Sequence, residues 1–173
     1  ASGMTAGKGP DGEAGAGKAW NHALVGNSGA NMIYESAGMH ASLLGFSLES
    51  VVIDNDIIGA TQRTIKGIEV SEERLSFETI KDVCLNGPGH YLGSGQTLQL
   101  MQTEYLYPAV GDRRSPNEWN EQGATDVTER ATRKVKEILG SHFPSHVPEA
   151  IDDEIRRRFP VKLKRQGMRP PES

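Results

Sequence analysis

The chain has 173 residues, of which 36% are hydrophobic and 24% are charged, and its formal net charge at pH 7 is −4. This length corresponds to about one globular domain. No apolar stretch of about 18 residues occurs, so the sequence predicts no membrane-spanning helix and no membrane partner. The first five residues contain neither an initiator methionine nor the layout of a secretory signal, and we expect a chain that begins within a domain.

The basic residues are concentrated towards the C-terminus. Seven basic residues and one acidic residue lie between Arg156 and Ser173, so the rest of the chain is strongly acidic. We interpret residues 160–173 as a solvated basic tail; the alternative is a docking surface for an acidic partner or a neighbouring subunit. Nucleic acid is not expected as a partner, because the acidic body of the protein would repel phosphate.

The single cysteine, Cys84, has no second cysteine with which to form an internal disulfide. It lies among Phe77, Ile80 and Val83, which recur at helical spacing, and a small buried thiol is the ordinary structure at such a position. We therefore predict a buried, unreactive cysteine and a cytoplasmic location.

The glycine-rich beginning of the chain predicts an irregular segment followed by a helix. Residues 1–9 are expected to form a strand end and a loop. Pro10 and Asp11 then begin a helix that contains Ala14 and Leu24.

Residues 12–18, Gly-Glu-Ala-Gly-Ala-Gly-Lys, match most of a phosphate-binding P-loop. That motif requires a serine or threonine after the lysine to hold Mg²⁺, and Ala19 is found there. The motif also requires a hydrophobic strand in front, and residues 5–11 do not form one. Small residues on a helix that packs closely against a sheet explain the pattern better, so nucleotide binding is not expected.

Residues 31–34 predict a short buried strand, and residues 36–45 a loop of small residues. In α/β proteins, ligands bind at the C-terminal ends of strands and in the loops that follow them. Tyr34, Glu35 and Ser36 are therefore the first candidates for a functional site.

A long helix is predicted to begin at Ser47, a typical N-cap residue. Asp54 and Asp56 flank an asparagine in a pattern that resembles part of a calcium loop. No glycine turn and no closing glutamate follow at the required spacing, so we expect both aspartates to face solvent and no metal to bind. The core-facing side of the helix is predicted from its apolar periodicity to consist of Leu48, Val51, Val52, Ile58 and Ile65.

The rest of the chain predicts further helices over residues 71–85, 96–105 and 148–159. Residues 115–118, Ser-Pro-Asn-Glu, have the sequence of a capping box with proline at the first helical position. Asp126 begins another helix. Its buried side is expected to consist of Ala131, Val135, Ile138 and Leu139.

The pair His90–Tyr91 occurs between glycines, in the sequence Gly-His-Tyr-Leu-Gly. Because glycine allows the backbone to approach a ligand closely, the pair is a candidate site element. The alternative is a histidine that only bonds a loop carbonyl.

Five short blocks occur in a recognisable order. They are residues 33–39 (Ile-Tyr-Glu-Ser-Ala-Gly-Met), 52–57 (Val-Ile-Asp-Asn-Asp-Ile), 66–68 (Lys-Gly-Ile), 89–98 (with Gly-His-Tyr-Leu-Gly and Gln-Thr-Leu) and 107–114 (with Tyr-Pro and Asp-Arg-Arg). In this order they resemble the C-terminal third of the trimethylamine methyltransferase family, which includes relatives that act on glycine betaine and other quaternary amines. The likeness covers nearly the whole chain except the basic tail.

The resemblance implies an α/β fold, namely the C-terminal part of a (β/α)8 TIM barrel plus terminal helices. Residues 1–110 would supply the last strands and helices of the barrel, residues 111–159 a terminal helical extension, and residues 160–173 the basic tail. A closed barrel takes about 250 residues. The missing barrel segment, or further copies of the chain, would therefore have to complete it.

The resemblance also implies an activity. Family members are corrinoid-dependent methyltransferases that move a methyl group from a quaternary or tertiary amine to the Co(I) of a corrinoid carried by a separate protein. The chain has no Asp-x-His-x-x-Gly motif, by which corrinoid carriers ligate cobalt, so we expect the methyltransferase and not the carrier. The alternatives are a non-catalytic fragment or assembly module that keeps the family packing, and a betaine-binding protein without methyl transfer.

One position bears on the substrate. Trimethylamine enzymes of the family carry a pyrrolysine in a glycine-rich segment, and alignment on Lys8, Pro10 and Asp11 places Met4 there. The chain thus looks like the non-pyrrolysine branch, for which glycine betaine or a similar quaternary amine is the expected substrate. When a quaternary ammonium loses a methyl group, the leaving group is already a neutral amine and no general acid is needed. The protein therefore has to bind the cation, exclude water and align the methyl group.

A cation without N–H groups is recognised by aromatic faces, each of which contributes about 0.5–2 kcal/mol, and by nearby carboxylates. The candidates for substrate binding are Tyr34, Glu35, Phe46, His90 and Tyr91. Core packing is the alternative for each aromatic residue, and no individual catalytic residue is assigned.

Overall fold

A computed structural model describes residues 3–144 and 146–165, which form a mostly helical structure with one small sheet. The helices are α1 (Gly12–Asn27), α2 (Leu48–Lys66), α3 (Glu72–Leu75), α4 (Phe77–Leu85), α5 (Gly95–Thr103), α6 (Pro116–Glu121), α7 (Val127–Ser141) and α8 (Glu149–Arg158). The strands are β1 (Met39–His40) and β2 (Gly45–Phe46), joined by a 3₁₀ turn over Ala41–Leu43. Within these ranges no helix combines the length and the apolar character needed to cross a bilayer. The predicted basic tail beyond residue 165 lies outside the described residues.

The predicted helix starts are confirmed, because polar side chains satisfy the free N–H groups of the first turns. Asp11 caps α1 and Ser47 caps α2, each by accepting a hydrogen bond from the backbone N–H three residues later. α6 and α7 begin with capping boxes at Ser115 and Asp126. A cap of this kind contributes about 1 kcal/mol to stability.

The strand predicted over residues 31–34 is wrong. These residues pair with no strand in the described chain, and Met32 and Tyr34 are 84% and 61% exposed. The strands that form are β1 and β2, which pair antiparallel as a hairpin. A buried strand needs a neighbour for its backbone groups, and residues 3–9, the expected strand end, bond instead to the turn after β1.

The structure therefore combines helices with one two-stranded sheet. Its strands are adjacent in sequence and antiparallel, whereas barrel strands are parallel and separated by helices. The TIM barrel implied by the resemblance stays a prediction.

Three helices form the core, with α1 packed on α2 and α2 packed on α7. On the α7 side the buried residues are Ala131 and Val135, as predicted. The other interface also buries Ala14 and Gly26 of α1, but most of its buried residues are polar and recur at helical spacing. They are Lys18 and His22 on α1, and Ser50, Asp54 and Thr61 on α2.

The central contact of the polar interface is an ion pair between Lys18 and Asp54. The Nζ of Lys18 lies 2.6 Å from Oδ2 of Asp54, and the two side chains are 1% and 3% exposed. Removing two charges from water costs several kcal/mol per ion, and this cost is offset only when both groups are well bonded. The prediction that Asp54 faces solvent is wrong, because Asp54 shares the face of α2 that packs on α1.

Asp56 was also expected to face solvent, yet its carboxylate is half-buried. It accepts three consecutive backbone N–H groups at 2.8 to 3.0 Å, from Ala109, Val110 and Gly111. Asp56 thereby joins the loop before α6 to the middle of α2.

Several apolar residues that were predicted to be buried are exposed. Leu48 and Ile65 of α2 are 45% and 49% exposed, and Ile138 and Leu139 of α7 are 39% and 60% exposed. Cys84, expected to be buried, is exposed as well, because α4 turns its neighbour Val83 inward.

The segment containing α3, α4 and α5 is attached to the C-terminal end of α2 by Glu104. The Glu104 carboxylate accepts hydrogen bonds from Lys66 at 3.1 Å and from Arg74 at 2.8 Å, and it lies 3.1 Å from Arg63. The hydrogen bond from Arg74, followed by that from Lys66, lowers the pKa of Glu104. One carboxylate therefore links α2 to the start of α3.

Replacing Lys18 with methionine is expected to lower the free energy of unfolding by about 3–5 kcal/mol, because it leaves the Asp54 carboxylate buried without a counter-charge. Urea unfolding followed by circular dichroism measures the change. The matched control is Lys134→Met, which removes a surface pair with Glu137 whose side chains are 35% and 63% exposed. We expect the control to cost less than about 1 kcal/mol, and equal losses in the two variants would contradict a buried pair.

Replacing Glu104 with glutamine is expected to lower the urea midpoint at pH 7. A carboxylate whose pKa is lowered by folding stabilises the protein above its unfolded pKa, and this stabilisation is lost as the pH falls through the folded pKa. The difference between wild type and variant should therefore begin to shrink near the ordinary value of 4.5 and vanish only below the lowered pKa of the folded state. Glu78→Gln, at an 81% exposed side chain, is the control. A pH-independent difference would refute the assignment.

Candidate functional site

The residues predicted to form a site divide into two groups. Tyr34, Glu35 and Phe46 lie in residues 33–46, here called the site loop, which leads into the N-terminal end of α2. The second group, His90 and Tyr91, precedes α5.

The site loop packs against residues 3–9, here called the N-terminal segment. The backbone of Gly3 touches that of Ser36 so closely that an added Cβ would lie 2.3 Å from the Ser36 Cα. Thr5 and Gly7 accept hydrogen bonds through their carbonyls, at 3.1 and 3.0 Å, from the N–H groups of Ser42 and Ala41. Met4, in the middle of these contacts, therefore lies beside the site loop.

A buried histidine joins the same two segments to α2. His40 is 3% exposed, and its Nδ1 lies 3.3 Å from the carbonyl oxygen of Gly7. Because a carbonyl oxygen can only accept, Nδ1 carries the proton and donates. The other ring nitrogen, Nε2, lies 2.5 Å from the Ser50 hydroxyl oxygen, within hydrogen-bond distance.

The ion pair between Lys18 and Asp54 lies under the site loop. The Asp54 Oδ2 that accepts from Lys18 also accepts from the backbone N–H of Gly38 at 2.8 Å. Gly38 has φ +81°, and a Cβ there would lie 2.5 Å from the ring of Phe46 and 2.7 Å from Val51. Only glycine fits this position.

The site loop contains a cluster of backbone strain. Four of its non-glycine residues have positive φ: Glu35 at 55°, Ala41 at 49°, Ser42 at 54° and Leu43 at 76°. Residues other than glycine rarely adopt this conformation. Each costs about 1–3 kcal/mol and persists only where surrounding contacts impose it, a pattern common at functional sites.

The candidates in the site loop are accessible. Tyr34 and Phe46 are each 61% exposed, and Glu35 is exposed as well. Tyr34 and Glu35 come directly before Ser36, which contacts the N-terminal segment at Gly3. The structure thus brings the region of Met4, Tyr34 and Glu35 together.

His90 and Tyr91 belong to a different part of the molecule. Their segment is attached through Glu104 to the C-terminal end of α2, about 28 Å along that 19-residue helix from the site loop. The hydroxyl of Tyr91 lies 4.0 Å from the Cys84 sulfur, and this hydrogen bond raises the pKa of Tyr91. The described contacts do not join this pair to Tyr34 and Glu35.

A cleft of about 570 Å³ opens where the first turns of α1 and α7 approach α2. Lys18, Ser50 and Asp54 contribute to its lining, and the capping carboxylates of Asp11 and Asp126 lie at its edge. No candidate from the sequence lines it. In the described part of the chain, no group of three or more His, Cys, Asp or Glu side chains is arranged to hold a metal ion.

Sequence reasoning missed Lys18, His40, Ser50 and Asp54. Lys18 was considered only as the lysine of a phosphate loop, which α1 excludes because residues 12–18 are helical. The spacing of Ser50 and Asp54 could have indicated a shared buried polar face, since residues four apart lie on one face of a helix.

The sequence profile of the trimethylamine methyltransferase (MTTB) family matches residues 1–168. The chain is 39% identical over 133 residues to the trimethylamine methyltransferase MttB of Methanosarcina thermophila, which covers 77% of this chain and 27% of that protein. It is 38% identical over 157 residues to MttB2 of Methanosarcina mazei, which covers 87% of this chain and 31% of that protein.

A more distant relative has a different named substrate. The chain is 26% identical over 141 residues to the glycine betaine methyltransferase of Desulfitobacterium hafniense, with 81% of this chain and 28% of that protein covered. The chain spans between about a quarter and a third of the length of these curated relatives. Because the family profile matches nearly its whole length, the chain belongs to the trimethylamine methyltransferase family.

Proposed function

We propose that this chain is part of an amine methyltransferase that transfers a methyl group from a methylated ammonium to the Co(I) of a corrinoid held by another protein. The observation that supports this most is the strained site loop, packed on the segment that contains Met4 and carrying Tyr34 and Glu35. Membership of a family whose named members are methyltransferases supports the reaction type.

The chemistry requires little of the protein beyond binding and alignment. The N–CH₃ bond of the substrate breaks as a new bond forms between that methyl group and cobalt, and the two electrons of the broken bond stay on the departing neutral amine. Tyr34 would present an aromatic face to the cation, worth about 0.5–2 kcal/mol. The carboxylate of Glu35 would balance the charge, and Phe46 would extend the aromatic wall.

Two observations bear on the choice of amine. Identity is higher to the trimethylamine enzymes than to the betaine enzyme. Met4, however, occupies the place of the pyrrolysine, and we propose on this ground a quaternary amine such as glycine betaine. A cytoplasmic location stays a prediction.

A second candidate function is a non-catalytic assembly module, and the exposed apolar surface favours it. Large contiguous apolar patches mark surfaces that contact other polypeptides, and many large apolar side chains are exposed. Examples that are at least 77% exposed are Met32, Leu44, Ile68, Val70 and Leu92.

A chimera separates the two functions. Residues 1–168 replace the matching part of the Desulfitobacterium hafniense glycine betaine methyltransferase, and the loss of Co(I) absorbance of cob(I)alamin is followed with glycine betaine and with trimethylamine. We expect turnover of glycine betaine by the chimera and none by the chain alone. A chimera that folds, as judged by circular dichroism, but transfers no methyl group from either amine would favour the assembly module.

In that chimera, Tyr34→Ala and Glu35→Gln are each expected to weaken glycine betaine binding by more than about tenfold, about 1.4 kcal/mol, without lowering the melting temperature. The physical reason is the loss of the aromatic face or of the charge. Tyr105→Ala and Glu69→Gln, which remove similarly exposed groups elsewhere, are the matched controls. Calorimetric titration measures the affinities, and unchanged binding in both variants would remove these residues from the site.

A further inference from the structure

We infer that Asp54, with Lys18, is a positioning residue: it holds the whole site loop in its strained conformation and thereby places Tyr34 and Glu35 relative to the N-terminal segment. The functional part of this inference rests on the proposed function. Its structural part concerns the chain alone.

The first step of the argument is that the strain requires an external restraint. Glu35, Ala41, Ser42 and Leu43 all have positive φ, and without contacts that impose it each residue would relax to a commoner conformation. The loop has few large buried side chains that could fix it by packing, since Leu43, Leu44 and Phe46 are 44%, 91% and 61% exposed. Besides the close contacts at Gly3 and Gly38, hydrogen bonds therefore supply the restraint.

The second step is that these hydrogen bonds converge on two buried polar groups of α2. Asp54 accepts from the N–H of Gly38 at 2.8 Å, and Ser50, one turn earlier, bonds the His40 ring at 2.5 Å. The Gly38 carbonyl in turn accepts from the N–H of Ser47, the N-cap of α2, at 3.0 Å. The middle of the site loop, at Gly38 and His40, is thus hydrogen-bonded to the first two turns of α2.

The third step concerns Lys18, which fixes Asp54. The two side chains are nearly inaccessible to water, and one oxygen of Asp54 serves both Lys18 and Gly38. By donating to this oxygen at 2.6 Å, Lys18 fixes the orientation of the carboxylate that accepts from Gly38. Lys18, which lies on α1 and outside the site loop, thus helps to fix the loop through Asp54.

Hydrogen exchange of the chain tests the structural part. In Asp54→Ala we expect the amides of Ala41 and Ser42 to exchange at least about tenfold faster relative to amides of α7, because the loop is released. These two amides are informative because their acceptors, on Gly7 and Thr5, are untouched by the substitution. Asp54→Asn, which keeps an acceptor for Gly38, should protect them better than Asp54→Ala.

The control is Thr61→Ala, on the same buried face of α2 but away from the loop. This variant should speed amide exchange in the site loop and in α7 to a similar extent. If Asp54→Ala loses protection uniformly, as Thr61→Ala does, Asp54 is merely structural and the inference is wrong. Should Asp54→Ala not fold, the neutral Lys18→Met/Asp54→Leu pair also removes the acceptor from Gly38 and carries the same expectation.

Kinetics of the chimera test the functional part. Asp54→Ala should lower kcat at least about tenfold, because the reacting groups are no longer aligned, whereas Thr61→Ala should leave kcat within about twofold. An unchanged kcat together with a released loop would overturn the positioning role. If the unsubstituted chimera transfers no methyl group, the proposed function fails by itself, and the exchange experiment still decides whether Asp54 holds the loop.

Discussion

A buried ion pair joins the parts of this structure that carry the site candidates Tyr34 and Glu35 to the helices beneath them. Lys18 lies on α1 and Asp54 on α2. The Asp54 oxygen that accepts from Lys18 also accepts a hydrogen bond from the backbone of the site loop. A buried pair seldom adds much net stability relative to an apolar contact, but removing one partner is costly, since a charge is left in a poorly solvated place. Such a pair therefore constrains which arrangements of the two helices and the loop are possible more than it adds to their stability.

The second constraint is the close approach of two glycines to their neighbours. The backbone of Gly3 lies against that of Ser36, and Gly38 lies against the side chains of Phe46 and Val51, in both cases with no room for a Cβ. Together with His40, which links Gly7 to Ser50, these contacts make the N-terminal segment and the site loop one unit above α2. The two segments that carry Met4, Tyr34 and Glu35 are thus the ones that the buried polar network holds together.

The sequence predicts the helices of this chain well and its strands poorly, for a physical reason. Helix starts depend on local capping chemistry, which a sequence displays directly: Asp11, Ser47, Ser115 and Asp126 all begin helices as expected. Strands depend on partners elsewhere, and the run over residues 31–34 has none in the described chain. Burial depends on distant partners too. The sequence predicts Asp54 to face solvent because it does not show that α1 places Lys18 against it. The site candidates Tyr34 and Glu35 could be named from motif and position, but the groups beneath them could not, because buried polar residues look like surface residues in a sequence.

The central claim is that Lys18 and Asp54 act as one unit, and a double-mutant cycle measures this directly. The free energies of unfolding of Lys18→Met, Asp54→Leu and the double variant are compared with that of the unsubstituted chain by urea titration. We expect a coupling energy of about 3 kcal/mol. The double variant should lose less unfolding free energy than the two single variants lose together, because it leaves no charge buried alone. Losses that add to within about 0.5 kcal/mol would mean that the two side chains are energetically independent, and would contradict the structure described here.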